Sequence, residues 1–479
     1  MTKTRLFVFA VLLSFALGTS ALAVAQEVAQ DNESVRTPEQ PVAQQQPAPA
    51  QPAIFHPQGT VIIPESSVVH PEDAGVRMHT NYQIFVPAGQ KGLSTPVPNN
   101  TFAEYTASLA CVYGVGTAYA GCTPGVINSA YNATGGWGAI ALVDAYDDPN
   151  AASDLAFFSS TFALPAANFK TVIANSSFGT LNGMTASCSG TPANANLHGW
   201  DVEESLDIEW SHAMAPKAQI ILVEACSNSG NDLYFAEQVA GKEVAAYGGG
   251  DISNSFGSGE FAGEVGTTDD VFYRYHWSHT SYFASAGDSG WGAGYPSSSP
   301  WVVSAGGTTV NRDVNGNFLN ESCWSGSGGG VSAFELFQSP PNISNGMGPW
   351  TNYQYPFAST GARQTPDMSF DADPASGVYV YDSDNSSPGF YIVGGTSVAS
   401  PSLAGIVNAS NQRAGQALPQ GGQYEAREDN LIYGEYDLHL TYPKYFYDVT
   451  TGCNGTGHCA AVNYDQCTGI GSPRGHTGK

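Results

Sequence analysis

The sequence Phe390-Tyr-Ile-Val-Gly-Gly-Thr-Ser-Val-Ala-Ser-Pro401 joins a short apolar run to a segment rich in small residues. The run Phe390–Val393 predicts a buried strand, and Ser397–Gln412 has a pattern typical of a helix. Two glycines let the backbone turn sharply between them, and a proline is tolerated in a first helical turn. Ser397 is therefore predicted at a helix N-terminus, where amide dipoles favour developing negative charge. An ordinary glycine-rich turn with a serine cap would have the same pattern.

Strand and helix patterns of this kind alternate along the chain. Six further apolar runs predict buried strands: Ala139–Asp144, Thr171–Ala174, Gln219–Ala225, Asp251–Phe256, Ser281–Ala286 and Trp301–Ala305. Helix-like patterns lie between several of them, at Ala151–Phe162, Val202–Ala213 and Asn231–Tyr247. The alternation predicts an α/β fold with a doubly wound, mostly parallel central sheet flanked by helices, whose ligands bind at the carboxyl ends of the strands.

The first 25 residues have the features of a secretory signal peptide. Lys3 and Arg5 precede an apolar run from Leu6 to Leu17 that is shorter than a membrane span, and small residues follow it. The product is expected to be secreted, extracellular or periplasmic, and without a membrane association after signal cleavage. Residues 26–75, rich in Gln, Pro and Ala, predict a disordered linker or a short pro-segment before one large domain at 76–479.

The eight cysteines lie outside the signal, which agrees with an oxidising compartment and structural disulfides. Cys111 and Cys122 are close enough in sequence to staple a local loop, as are Cys453 and Cys459, and Cys188 could join Cys226. The sequence alone does not fix this pairing.

Acidic side chains dominate the charge: 42 Asp and Glu against 16 Lys and Arg give a formal net charge of −26 and a pI near 4.4. A surface of this sign repels nucleic acid and anionic membranes at neutral pH, so neither is an expected partner. At pH ~4 many carboxylates are protonated and the repulsion within the protein falls. The composition is compatible with work in acid, although solubility alone would also explain it.

Two acidic residues, Glu203 and Asp207, are four apart in a helix-like segment, which places their carboxylates on one face and adjacent turns. Two negative charges so placed destabilise the helix unless the carboxylates share a proton, and sharing raises the pKa of one of them. A carboxyl group with a raised pKa can act as general base and then general acid in an acidic medium. A solvated acidic helix face is the alternative interpretation.

A third acid, Asp288, follows the predicted strand Ser281–Ala286 in a Gly-rich loop. The end of a strand suits a group that stabilises an oxyanion, but an ionised carboxylate only accepts hydrogen bonds. Asp288 would have to be protonated for that role, which again indicates acidic pH. An Asx turn is the alternative.

These three motifs, together with Trp301-Val-Val-Ser-Ala-Gly-Gly-Thr-Thr-Val310, resemble those of the sedolisin (serine-carboxyl peptidase) family in residue type and order. The similarity runs from about Trp137 to Pro473. It implies a subtilisin-like fold in a single large catalytic domain, with Ser397 as nucleophile, Glu203 as general acid/base, Asp207 as its carboxylate partner and Asp288 in the oxyanion hole. It also implies a secreted, acid-acting serine-type endopeptidase that hydrolyses peptide bonds through an acyl-enzyme. We expect polypeptide substrates and a monomer.

A subtilisin-type triad is a rival assignment, because Asp144, His198 and Ser397 occur in the chain order of that enzyme class. Against it, subtilisins use an amide side chain as oxyanion donor where this chain has Asp288, and His198 lacks the usual His-Gly-Thr continuation. In the Glu203 assignment, Asp144 is expected to extend the carboxylate chain behind Asp207. A catalytically silent secreted binding protein on the same fold is the non-enzyme alternative.

The segment 445–473 resembles the calcium site of the same family. The resemblance implies one structural Ca²⁺ held by the side chains of Asp448 and Asp465 and by the carbonyls of Val449, Ala461 and Asn463, since hard cations take oxygen ligands. The family commonly has glycine at the positions of Ala461 and Asn463. A turn held by disulfides, without an ion, is the alternative.

Sedolisins are usually made with a large folded propeptide, whereas the stretch between the predicted signal and Trp137 is short. Either activation uses a shortened segment around His70–Pro98, or folding needs no long chaperone region.

Overall fold

The computed structural model describes residues 53–88, 135–162, 164–265, 270–273, 279–313, 318–336, 354, 361–384, 388–410, 428, 432–433, 436 and 442–475. The predicted signal peptide and the cysteines Cys111 and Cys122 lie outside these ranges. Among the residues that are described, no helix is long and apolar enough to cross a bilayer.

Strands and helices alternate through most of the described chain. The strands are β1 Gly59–Ile62, β2 His79–Thr80, β3 Gln83–Pro87, β4 Ala139–Ala145, β5 Asn168–Ala174, β6 Gln219–Ala225, β7 Gly250–Asn254, β8 Phe256–Gly259, β9 Thr280–Ser285, β10 Gly294–Tyr295, β11 Val302–Arg312, β12 Phe318–Cys323, β13 Gly330–Leu336, β14 Ala362–Thr365, β15 Met368–Asp371, β16 Val378–Asp382, β17 Gly389–Gly394, β18 Phe446–Tyr447, β19 Cys453–Gly455, β20 His458–Cys459 and β21 Ser472–Pro473. The helices are α1 Ala151–Thr161, α2 Asp201–Met214, α3 Gly230–Ala246, α4 Asp270–Tyr273, α5 Thr396–Ala409 and α6 Tyr442–Tyr445.

The central sheet has eight strands in the order β12-β11-β9-β7-β4-β6-β5, with β15 also paired to β11. Its ladders are parallel except for the pair β11–β12. The predicted run Gln219–Ala225 coincides with β6, and the other five runs overlap β4, β5, β7, β9 and β11. The mostly parallel central sheet is therefore confirmed.

Alternate side chains of β4 face two different hydrophobic layers. Leu142 packs with Leu206 of α2 and Leu403 of α5. Val143 packs with Leu233 of α3. Helices thus cover both faces of the sheet, as a doubly wound fold requires.

The run Phe390–Val393 was expected in the parallel sheet, and that expectation is wrong. It forms β17, which lies between β3 and β16 in an antiparallel sheet of order β1-β3-β17-β16. All six residues of β17 are buried. A short continuous apolar run shows only that a strand is buried, so it does not distinguish these two sheets.

The N-terminal segment 53–88 is folded against the rest of the molecule. Within the interval predicted as a linker or short pro-segment, residues 59–62 form β1, which pairs with β3. Between them, β2 pairs with β8. Short antiparallel pairs of β10 with β8, β13 with β14, β18 with β21 and β19 with β20 complete the described sheets.

Three disulfides join described cysteines. Cys188–Cys226 and Cys453–Cys459 agree with the pairs suggested by sequence proximity. Cys323–Cys467 was not predicted, because 144 residues separate its two members. It ties the end of β12 to the C-terminal segment.

Candidate active site

Ser397 lies in the first turn of α5, directly after β17, as the sequence predicts. The turn depends on Gly395, which has a φ of 108° and no space for a side chain: a Cβ there would lie 2.2 Å from the carbonyl oxygen of Asn81. The Ser397 hydroxyl is buried and donates a hydrogen bond of 2.9 Å to Glu203 Oε2. The nucleophile candidate and the base candidate are therefore in direct contact.

Glu203 and Asp207 lie on α2, which packs against α5 through the core that contains Leu206 and Leu403. All residues of α2 are buried, so a solvated acidic face does not describe this helix. Asp207 Oδ1 accepts a hydrogen bond of 2.7 Å from the Ser255 hydroxyl. Ser255 in turn contacts Ser397, whose hydroxyl lies 3.2 Å from the Ser255 carbonyl oxygen.

The pKa values of these acids are raised. Burial raises the pKa of Glu203 well above its usual range, and the charges of Asp207 and Asp144 raise it further, while the hydrogen bond from Ser397 lowers it. Burial and the charge of Asp144 also raise the pKa of Asp207. Burial raises the pKa of Asp144 to about 8. The cluster is therefore able to retain protons well above the pH at which a solvated carboxyl group ionises.

Asp288 follows β9 and reaches the start of α5. Its Oδ1 accepts hydrogen bonds from the Thr396 N–H at 2.7 Å and from the Thr396 hydroxyl at 2.9 Å. Its Oδ2 is buried and has no hydrogen-bond partner among the described residues. Burial raises the pKa of Asp288 to about 7, although both Thr396 contacts lower it. A protonated Asp288 would have a hydroxyl to donate at the edge of the cleft next to Ser397.

His198 is not joined to Ser397. Its ring stacks on Tyr146 with centroids 4.0 Å apart, in a cavity of about 490 Å³ that Arg77 also lines. The Ser397 hydroxyl is instead bonded to Glu203 and to the Ser255 carbonyl. Asp144, the third member of the subtilisin-type assignment, has no hydrogen-bond partner for either carboxyl oxygen among the described residues. This geometry favours the carboxylate pair over the histidine triad.

The two aspartates of the candidate calcium segment meet at one loop. Asp448 accepts hydrogen bonds from the Asn463 N–H, at 3.2 and 3.1 Å, and Asp465 Oδ2 accepts one from the Ala461 N–H at 3.0 Å. The charges of both carboxylates raise the pKa of Tyr442, after the larger effect of burial. Asn463 has a φ of 71°, so it keeps the left-handed backbone for which the family uses glycine.

Two carboxylates, a ligand type that hard cations prefer, face one short loop, and the contacts between them are made by N–H groups of the loop and not by its carbonyl oxygens. Val449, the remaining predicted ligand, is buried beside Asp448. The described residues contain no cluster of three or more His, Cys, Asp or Glu side chains suited to a metal. A site at this loop would therefore depend on carbonyl oxygens as well as on the two aspartates.

Three contributors to the site were not predicted from the sequence: Ser255, Thr396 and Asn81. Ser255 directly follows β7 at the carboxyl end of a central strand, which is the position where ligands bind in such sheets. The position of Ser255 at a strand end would therefore have allowed its prediction as a site residue. The contact of Asn81 with Ser397 joins residues more than 300 positions apart, and no local pattern marks it.

Comparisons with known proteins agree with this architecture. The model of the subtilase family matches residues 186–420. Kumamolisin from Bacillus sp. strain MN-32 is 27% identical over 325 residues, which are 62% of this chain and 52% of that protein. Sedolisin from Pseudomonas sp. strain 101 is 28% identical over 194 residues, which are 37% of this chain and 28% of that protein.

Among solved structures, Pseudomonas sedolisin complexed with two molecules of pseudo-iodotyrostatin matches with a TM-score of 0.57 and 24% identity, covering 75% of this chain and 96% of that one. The fold is therefore subtilisin-like. The chain spans about half the length of kumamolisin and less of the other curated relatives that it matches.

Proposed function

We propose that this chain, a sedolisin-like protein with the subtilisin fold, is a secreted serine-type endopeptidase that cleaves polypeptides in acid. The observation that carries the proposal is the 2.9 Å hydrogen bond from the Ser397 hydroxyl to Glu203 in a buried cluster of acids. The similarity to kumamolisin and sedolisin supports it. The disulfides and the signal-like N-terminus support secretion, and we assign a monomer that binds neither nucleic acid nor membrane.

In the proposed mechanism, Ser397 Oγ attacks the carbonyl carbon of a peptide bond while Glu203 accepts the hydroxyl proton. Burial raises the pKa of Glu203, and the charge of Asp207, which accepts a hydrogen bond from the Ser255 hydroxyl, raises it further and so makes Glu203 a stronger base. Protonated Asp288 and the Ser397 N–H donate to the oxyanion. Glu203 then protonates the leaving amine, and a water molecule resolves the acyl-enzyme by the reverse proton transfers.

Asp288 gives the proposal a direct test in its pH dependence. We expect kcat on an acid-unfolded protein to fall as the pH rises through about 7, because Asp288 then loses the proton that it donates. Asp288→Asn keeps a donor at every pH and should extend activity to higher pH. Asp288→Ala should lower kcat about 10²- to 10³-fold at all pH values. An Asp288→Asn enzyme with the same alkaline limit as the unaltered enzyme would contradict this role.

A single structural Ca²⁺ is proposed at Asp448, Val449, Ala461, Asn463 and Asp465. When bound, the ion would neutralise the two aspartates and fix the loop that carries Ala461 and Asn463. It lies in the C-terminal segment that the Cys323–Cys467 disulfide joins to β12, so its role is in stability. No catalytic step is assigned to it.

Chelation should therefore lower the thermal midpoint. A ligand present at about 100 times its Kd adds about 2.7 kcal/mol, which is a shift of about 3 °C for a domain of roughly 400 residues. Asp465→Asn should have the lower midpoint from the start and should not respond to chelator. Differential scanning calorimetry in calcium and in EDTA measures both. If EDTA lowered the thermal midpoints of the unaltered protein and of Asp465→Asn by the same amount, a calcium site at Asp465 would be contradicted.

A further inference from the structure

Trp291 is an exposed aromatic side chain close to the candidate catalytic residues. It lies three positions after Asp288, in the loop between β9 and β10, and it is 46% exposed. A single exposed apolar residue is ordinary on a protein surface and needs no explanation. What distinguishes Trp291 is the way in which another part of the chain holds its ring.

A hairpin of the C-terminal segment fixes the position of Trp291. Its strands β19 and β20 pair antiparallel, and the Cys453–Cys459 disulfide closes it. The Trp291 N–H donates a hydrogen bond of 2.8 Å to the Asn454 carbonyl, and a Cβ built on Gly455 would lie 2.9 Å from the Trp291 Cβ. The His458 ring stacks on the indole, with centroids 4.0 Å and planes 18° apart. Because His458 covers one face, the exposed surface of the indole is its other face and its edge.

Trp291 also lines a cavity of about 150 Å³ that Asp288 shares. A Cβ built on Gly287 or Gly292 would meet no atom within 4 Å, so the loop borders open space at both positions. Other wall positions have little or no side chain: Gly257, Gly259, Gly290, Ala293 and Gly294. A cavity of about this volume is large enough for one benzene ring.

The cavity lies where the side chain of the residue under attack would enter. In the proposed mechanism, Asp288 and the Ser397 N–H hold the oxygen of the attacked carbonyl. The Asn81 carbonyl oxygen accepts a hydrogen bond of 3.0 Å from the same N–H, and Asn81 lines the cavity. A substrate carbonyl in this position would direct its own side chain along the same path, toward Trp291.

From these contacts we propose that Trp291, held by the hairpin of β19 and β20, selects an aromatic side chain on the residue whose carbonyl is attacked. The inference rests on the proposed function and names a substrate class for it. An aromatic ring in the cavity packs against the uncovered part of the indole, and such a pair favours binding about 2- to 10-fold beyond the burial of its area. His458 is a positioning residue, which acts on the substrate only through Trp291.

The first test compares three peptides that differ only at the residue whose carbonyl is attacked, with Phe, cyclohexylalanine or Ala there. Phe and cyclohexylalanine bury similar areas, so the ratio of their kcat/KM values isolates the contact between aromatic rings. We expect Phe to exceed cyclohexylalanine about 2- to 10-fold and Ala more than about tenfold. Each peptide displaces Asn81 from the same cavity, so that cost cancels in the ratios. Mass spectrometry of the products checks the bond that is cut.

The second test changes the wall. Trp291→Leu should bring the ratio of Phe to cyclohexylalanine close to one, mainly by raising the KM for Phe, because the wall contacts the side chain both before and during the reaction. His458→Ala should lower the ratio in the same direction, and His458→Phe should restore it by keeping a ring on the indole. Tyr247→Leu is the matched control: it is 43% exposed at the end of α3 and should leave the ratio unchanged.

A measurement without turnover uses the Ser397→Ala background. The Phe peptide should change the tryptophan fluorescence there, and Trp291→Leu should remove that change. A chain that digests acid-unfolded haemoglobin, yet does not prefer Phe or keeps its preference in Trp291→Leu, would overturn this inference and leave the proposed function standing. A chain that digests neither haemoglobin nor any of the three peptides would overturn both.

Discussion

Replacing Ser397 by Ala should reduce peptidase activity about 10⁴-fold or more, and Glu203→Gln should reduce it by a similar factor. Ser397→Ala removes the attacking oxygen. Glu203→Gln keeps the size of the side chain and its contact with Ser397, but an amide does not accept the hydroxyl proton. The two effects should not add in the double variant, because both groups act in the same step. Initial rates on acid-unfolded haemoglobin at pH ~4 measure the loss.

The matched control for this experiment is Glu204→Gln, the same change one residue along α2. Glu204 is equally buried, but its carboxyl oxygens do not contact Ser397. We expect it to retain most of the activity and both single catalytic variants to retain the fold, checked by circular dichroism. Loss of activity in His198→Ala with an active Glu203→Gln would instead establish the subtilisin-type triad.

The parts of the fold and of the site that the sequence predicts are those with a local signature. The run Gln219–Ala225 is mostly apolar, with Pro216 before it and Ser227 and Asn228 after it, and it coincides with β6. Glu203 and Asp207 lie on the same face of α2 because residues four apart in a helix are about one turn apart. Ser397 follows from two glycines between a strand and a helix. Each of these inferences needs only neighbouring residues.

What the sequence did not show depends on contacts between distant segments. The antiparallel setting of β17 is created by β3 and β16, and the Cys323–Cys467 disulfide by the approach of the C-terminal segment to β12. The interval 26–75 was predicted from its composition as a linker or a short pro-segment, and within it residues 59–62 form a strand.

A second group of acids is buried beside the catalytic cluster, and of its members only Asp144 was recognised from the sequence. Asp144 on β4 and Glu224 on β6 are neighbours in register, and Glu204 approaches from α2. Neither carboxyl oxygen of Glu204 has a hydrogen-bond partner among the described residues, and Glu224 Oε1 accepts one from the Asp148 N–H at 3.3 Å. In sequence, Glu204 is simply the neighbour of Glu203, and Glu224 interrupts an otherwise apolar strand.

Burial also raises the pKa values of Glu204 and Glu224. Burial raises the pKa of Glu224 to about 9, and the charge of Asp147 adds to the effect. Burial raises the pKa of Glu204 well above its usual range, followed by the charge of Glu224 and then those of Asp144, Asp148 and Asp201. The neighbouring charges are all negative and raise both pKa values, while the hydrogen bond from the Asp148 N–H lowers that of Glu224. The folded state therefore favours the protonated form of both side chains.

Raised pKa values make the folded protein less stable as the pH rises. Below the pKa of the unfolded chain, ~4.3, the carboxyl group is protonated in both the folded and the unfolded state, and its stabilising contribution is fully present. Between that pH and the higher pKa of the folded state, the unfolded chain loses its proton first, and the free energy of unfolding falls. Each group then contributes a decline of about 1.4 kcal/mol per pH unit. For Glu224 the window runs from pH ~4.3 to about 9. The protein should therefore be most stable in acid and should weaken steadily toward neutral pH.

Glu204→Gln and Glu224→Gln should each remove the part of this dependence that the replaced group contributes, because a neutral amide has the shape of the protonated acid. We expect thermal midpoints close to the parent at pH ~4 and several degrees higher at pH ~7.5, measured in the Ser397→Ala background to prevent self-digestion. Glu243→Gln, a partly exposed acid paired with Lys170, should leave the pH slope unchanged. The explanation fails if either variant loses stability equally at both pH values, since the side chain would then act through packing or hydrogen bonding. If the slope flattens as expected, acidity is required by the fold itself as well as by Asp288, and neutral pH would inactivate the enzyme by unfolding as well as by deprotonation of Asp288.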